Sequence, residues 1–198
     1  FQVSILCIIF NVSILNFLNV HKLGMSYAAG VLVLSWYKGE LYCLLGKDHY
    51  DTYSDFGGKA DLQDHNQHII TAAREMYEET SGVMFDLNVI RERLKHCHIV
   101  HSHSYTNKPY FMYVMFCELD TTIHDKFEHV YKFVRKLPKM LRFTEKQELQ
   151  WFKFKELGTT KVQLRNIFTK TLQHHKHTIL KIAYNYLTIN TKYINVRR

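Results

Sequence analysis

Glu75, Glu78 and Glu79 stand at i, i+3 and i+4 within Ala72-Ala73-Arg74-Glu75-Met76-Tyr77-Glu78-Glu79, a run suited to an α-helix. On a helix those positions share one face, so three carboxylates point into one small volume. Like charges so placed repel, and the arrangement gains a purpose if a cation sits among them. Oxygen donors of this kind suit Mg²⁺ or Mn²⁺. Such an ion neutralises a diphosphate, polarises phosphorus and acidifies a bound water, and Glu75 or a carboxylate from a later loop can take the proton. Arg74 can brace a neighbouring acid through its planar fork. Upstream, Gly57-Gly58 lets backbone approach a metal or phosphate closely, and Lys59 adds a positive charge beside it. Tyr50, Tyr53 and Phe56 precede the glycines, where they either stack on a base or join the core. Alone, an E-x-x-E-E face is most often solvated helix surface. Its company of a preceding strand, a double glycine with lysine, small helix residues and a closing glycine points instead to a metal and phosphate site.

The elements that would position these groups follow from hydrophobic patterning. Tyr27 to Trp36 and Leu41 to Leu45 read as two strands joined by a tight turn at Lys38-Gly39. Gly57-Gly58-Lys59 breaks the periodicity. A helix is predicted from about His68 to Ser81, ended by Gly82 in the left-handed conformation. Lys95 to His103 and Pro109 to Leu119 are strand candidates, the second apolar enough for a central position. A helix over Ile123 to Leu137, a short strand over Gln147 to Phe154 and a long amphipathic helix carrying Leu164, Phe168, Leu172, Ile179, Ile182 and Tyr186 complete the chain. Strands mixed with helices imply an α/β sandwich.

The 198 residues suit one compact domain with an added element, and no repeat or linker divides them. The formal charge of +8 is localised: residues 158–198 carry eight Lys and Arg and no Asp or Glu, leaving 18 cations against 18 carboxylates elsewhere. That basic segment, with His174, His175 and Lys176, can steer polyanions such as RNA, or can simply be the solvated face of a docked helix. Cys7, Cys43, Cys97 and Cys117 form no CxxC pair, so reduced thiols in a cytoplasmic protein are expected. His96 and His98, on one face of a strand, would supply at most half of a zinc shell. Phe1 to Val20 has fourteen apolar residues and no charge but is interrupted by six Ser, Asn and Gln. Its length suits a membrane span, whereas the interruptions and the lack of a basic start count against a span or a signal. Met25 offers an alternative start, so residues 1–24 read as upstream sequence, an anchor or a buried helix.

The run Arg74-Glu75-Met76-Tyr77-Glu78-Glu79-Thr80 resembles the second half of the signature of the Nudix hydrolases, G-x5-E-x7-R-E-U-x-E-E-x-G-U. Gly82-Val83 resembles the closing pair displaced by one residue, with Ser81 at the signature's glycine. Gly58 matches its first glycine, Asp64 falls at the early glutamate, and two extra residues follow before Arg74. The resemblance implies an α/β/α sandwich on a mixed sheet over residues 25–157, to which the amphipathic pattern adds the basic helix of 158–198. It implies Mg²⁺-dependent attack of water on a nucleoside diphosphate linked to another moiety. Glu78 and Glu79 would be metal ligands, Glu75 a ligand or base, and Gly58 a backbone-oxygen donor. Glu145 or Glu148, ahead of Trp151, would be a further catalytic carboxylate. The substrate stays open among nucleotide sugars, nucleoside triphosphates, dinucleoside polyphosphates, diphosphoinositols and capped RNA. A phosphate- or RNA-binding module without catalysis is the alternative, and a membrane-tethered enzyme a further one.

Overall fold

The structure, a computed structural model, describes residues 27–104, 106–159 and 161–196, with side chains described as far as 190. The expectations for residues 1–24 therefore lie outside the described residues. Ten residues, Ala28–Tyr37 (β1), pair antiparallel with Glu40–Lys47 (β2) through the Lys38-Gly39 turn, in which both residues have positive φ. This primed-type geometry matches the right-handed twist of the flanking strands.

β1 and β2 stay paired only from Tyr37↔Glu40 to Val33↔Leu44 and then part. Tyr53–Ser54 (β3) follows β2, and Phe56–Lys59 (β4) follows the first half of β1 from Val31↔Phe56 to Ala28↔Lys59. The sheet forks here, with Asp55 at the split. The double glycine, expected to interrupt regular structure, is itself a strand. The reason is steric: a Cβ on Gly30 would fall 2.7 Å from the Gly57 Cα opposite it, so glycine permits this pairing despite its low strand propensity.

Pro109–Phe116 (β6) runs parallel to β1 on its other edge and antiparallel to His98–His103 (β5), while Glu148–Lys153 (β7) pairs antiparallel with β2. The sheet is mixed, with β6 central as its apolar run implied. β5 begins at His98. His96 lies in the preceding turn, donating its N–H to the Arg93 carbonyl, so it does not share a strand face with His98.

Helices cover both faces. On one, Ala29, Val31, Val33 and Leu44 meet His68–Glu79 (α1), Leu87–Leu94 (α2) and Ile123–Val134 (α3) through Ala72, Ala73, Met76, Ile90, Leu94, Ile123 and Phe127. On the other, Leu32, Leu34, Cys43 and Leu45 meet Asn166–Val196 (α4) through Phe168, Leu172, Ile179 and Ala183. β1 is buried on both sides, which is why its sequence is apolar without alternation. α2 was not expected; only Ile90 and Leu94 of its eight residues are buried, too few to set a period. Cys43, Cys97 and Cys117 are free thiols. No helix among the described residues is long and apolar enough to cross a membrane.

Candidate metal and phosphate site

α1 packs Ala72, Ala73 and Met76 against the sheet with no solvent exposure, and this fixes the rotation of its adjoining acidic side, with Glu75 and Glu79, toward β4. Glu75 and Glu79 are 8% and 3% exposed. The Gly57 N–H donates to Glu79 Oε2 at 2.8 Å, tying the helix to the strand beyond the fork. Gly58 lies so near Glu75 that a Cβ there would come within 2.5 Å of Oε1. The expectation for this glycine is a close approach to a metal or phosphate; the neighbour the structure gives it is a carboxylate.

Arg74 organises the cluster. Its Nε and Nη2 each donate to one oxygen of Asp64 at 2.9 Å, Nη2 also reaches the Lys59 carbonyl at 3.0 Å, and Nη1 bridges Glu75 at 2.9 Å and Glu78 at 3.0 Å. Asp64 is fully buried and also accepts from the Asp61 N–H and the Thr71 hydroxyl. Burial alone would raise its pKa, but Arg74 together with those two donors holds the carboxyl below the usual range. The acid braced by the Arg74 fork is thus Asp64, ten positions upstream. Asp64 joins the cluster as the anchor of the Arg74 guanidinium.

The repulsion among the helix carboxylates is answered largely from within the protein, which the sequence did not reveal. Besides Arg74, Lys146 is 1% exposed; its ammonium donates to Ser54 Oγ at 2.7 Å and lies 3.4 Å from Glu79 Oε1. Arg142 lies 3.7 Å from Glu78 and 3.2 Å from Asp61. Like-charge repulsion is therefore not by itself a reason to place a metal here. Among the described residues no three His, Cys, Asp or Glu side chains converge into a ready-made coordination shell, in this cluster or around the β5 histidines. What does fit a cation is the residual shortage of positive charge. Burial pushes Glu75 up to about 7 in spite of Arg74, with the charges of Glu78 and Glu145 adding to it, and pushes Glu79 up to about 8 in spite of Lys146, with those of Glu75, Glu145 and Asp55 adding. Buried hard oxygens that remain undercompensated are the donor chemistry Mg²⁺ and Mn²⁺ take.

The other predicted residues divide. Glu145 is exposed, and its charge is felt at both Glu75 and Glu79. Glu148 points elsewhere: its Oε1 accepts from the Tyr53 hydroxyl at 2.9 Å, and Oε2 lies 3.8 Å from the Lys47 ammonium. Lys59 is exposed and joins the cluster through its carbonyl. Phe56 is 0% exposed and packs in the core with α1, so its ring presents no surface on which a base could stack. Tyr53 is half-buried, edge-on to Phe152 at 4.8 Å; Tyr50 is exposed. Sequence reading missed Lys146, Arg142 and Asp55. Asp55 sits at the fork, accepts from the Tyr110 hydroxyl at 2.7 Å and has a pKa raised by burial. The one available signal was adjacency: Lys146 follows Glu145 directly.

No protein-family profile matches the sequence, and no curated protein matches it. Among solved structures, the fold is similar to the Nudix domain of Shewanella oneidensis NrtR complexed with ADP ribose, with a TM-score of 0.51 and 10% identity over 77% of this chain and 87% of that one. A C. elegans Ap4A hydrolase aligns with a TM-score of 0.47 and 14% identity over 79% of this chain and 98% of that one. At such identities the likeness concerns the course of the backbone, and it rests on the first of the two. Mixed forked sheet, helices on both faces and a carboxylate helix against the inner strand together make this the Nudix fold.

Proposed function

We propose that the chain hydrolyses the diphosphate linkage of a nucleotide-like substrate with Mg²⁺ or Mn²⁺ as cofactor. The observation that carries this reading is the pair of buried carboxylates, Glu75 and Glu79, held against the Gly57-Gly58 backbone while still short of positive charge. Glu75, Glu78 and Glu79 would hold the cation, with a backbone oxygen from the Gly58 region. A cation held by these residues would neutralise the diphosphate and acidify the attacking water.

The chain's own residues do the rest. Arg74 keeps Glu75 and Glu78 in register, because its fork to Asp64 and its bond to the Lys59 carbonyl are independent of either. Exposed Glu145, beside the buried pair, takes the proton as the water oxygen bonds to phosphorus and the bridging oxygen leaves with its electron pair. Lys59 and Arg142, both exposed at the rim, bind phosphate oxygens. The ADP ribose bound by the NrtR domain is a diphosphate of the kind this arrangement suits.

The test is turnover of a panel of nucleoside diphosphate derivatives, dinucleoside polyphosphates and capped RNA with Mg²⁺ or Mn²⁺, comparing wild type with Glu78→Gln. Wild-type cleavage of at least one class is expected, with kcat falling about 10²-fold or more in the variant. A wild type that binds the metal yet cleaves nothing in the panel would overturn the reading.

A further inference from the structure

Two stretches of the sequence contain no Asp or Glu, residues 93–117 and 157–198, and together they hold seven of the thirteen histidines. They are far apart in sequence, yet the fold places them side by side. β5 packs against α4, and Ser102 Oγ meets Thr171 Oγ1 at 3.0 Å. On α4, Lys170, His174, His177 and Lys181 are spaced four, three and four residues apart. They form one exposed stripe; Lys176 is exposed too, on a neighbouring side of the same helix. His98, His101 and His103 are exposed along β5.

The two elements form one continuous surface. His175 is depressed by burial and by the charges of His174 and His103, which places β5 and α4 histidines within reach of one another. In the other direction, His101 lies edge-on to Phe111 at 5.3 Å, and Phe111 stacks with His68 at 4.5 Å. His68 is the first residue of the carboxylate helix. A band of cations and aromatic rings thus runs from the outer face of α4, around the sheet edge at β5, to the start of α1. Among the described residues no carboxylate pairs with Lys108, Lys170, Lys176 or Lys181, although Lys95 pairs with Glu92.

We propose that this band binds single-stranded nucleic acid. Unpaired cations at helical spacing match a flexible chain of phosphates, and the exposed imidazole rings of β5 and α4 offer faces to unstacked bases, with Phe111 backing His101 from beneath. A membrane surface is the less suitable partner. The apolar stripe of α4, formed by Phe168, Leu172, Ile179 and Ala183, is buried against the sheet, which leaves no apolar face to enter lipid over residues 168–183. The surface is distinct from the carboxylate cluster, so binding and hydrolysis are separately measurable.

The experiment is fluorescence anisotropy of the full chain with labelled single strands of about 20 nucleotides, as RNA and as DNA of the same sequence, over a salt series. Wild type is compared with Lys170→Glu/Lys176→Glu/Lys181→Glu, with His101→Ala/His103→Ala and with Glu78→Gln. Binding by wild type is expected, with Glu78→Gln unchanged. The triple lysine variant should bind at least about tenfold more weakly, and its log Kd against log salt slope should be shallower by about 2. The histidine pair should lose about tenfold with its salt slope unchanged, as stacking contacts do. Tighter binding of the RNA strand assigns RNA; equal binding assigns single strands generally, and both uphold the proposal. The three lysines are exposed, so circular dichroism of that variant should match wild type. The proposal is overturned if wild type does not bind at about 50 mM salt, if the triple variant binds like wild type, or if phosphatidylserine vesicles are bound and nucleic acid is not. Binding without turnover would overturn only the hydrolase reading.

Discussion

Replacing Arg74 by Met removes the one group that Asp64, Glu75 and Glu78 share. Met keeps much of the stem volume, so the change isolates the guanidinium. Asp64 is 0% exposed and the Arg74 side chain 11%, so water does little to relieve the orphaned acid. Asp64 keeps its bonds from Thr71 and the Asp61 N–H, which limits the loss. Breaking a buried pair by removing one partner costs about 3–5 kcal/mol, and the residual donors place the expectation near the lower end. For a chain of this size that corresponds to a fall in Tm of about 6–12 °C. Urea unfolding at pH 7 measures it, together with Asp64→Asn and the double variant. The double variant should be more stable than the sum of the single losses predicts by about 2 kcal/mol, because it leaves no uncompensated carboxylate. A loss below about 1 kcal/mol for Arg74→Met, the range of exposed pairs, or strict additivity, would refute the account of Arg74 as the anchor.

Glu75 and Glu79 have folded pKa values of about 7 and about 8, raised above the ordinary 4.5. A raised acid contributes stability that is full below its unfolded pKa and is lost as pH rises through the folded value. Metal-free protein should therefore lose stability between pH 5 and pH 8.5, and Mg²⁺ should raise Tm more at pH 8.5 than at pH 5.5; calorimetry showing an equal rise at both would contradict the assignment. At pH 9, above the folded pKa of Glu79, Lys146→Met leaves that carboxylate without its ammonium and should lose about 3 kcal/mol in urea unfolding, largely regained when Glu79→Gln is added. If Lys146→Met behaves like a surface change and the second substitution restores nothing, the buried pair is not formed. Gly58→Ala would put a Cβ 2.5 Å from Glu75 Oε1 and displace that carboxylate. Mn²⁺ affinity, read by electron paramagnetic resonance, should fall at least about tenfold while the urea midpoint moves by less than about 1 kcal/mol equivalent; unchanged Mn²⁺ binding would remove Glu75 from the ligand set.

Local patterning was enough to place most of the elements. β1 and β6 declared themselves by continuous apolar runs, α1 by its small residues and shared carboxylate face, and α4 by recurrence at three and four residues, because periodicity records which sides of an element are buried. Segments with few buried positions were illegible: α2 buries two residues, and β4 reads as a glycine break until Gly30 is found opposite Gly57. In the candidate site, the sequence put Glu75, Glu78 and Glu79 on one face, since that follows from helix geometry alone. It could not say that Arg74 would close on Asp64, that Phe56 would turn into the core, or that Glu145 and Glu148 would part company across the start of β7. Least of all could it say that Lys146 would be carried, fully buried, to Glu79, because a lysine's ordinary place is in water. The chain fixes which charges exist and how they are spaced along each element. Only packing, by removing water from some of them and bringing distant segments together, decides which carboxylates remain short of a cation.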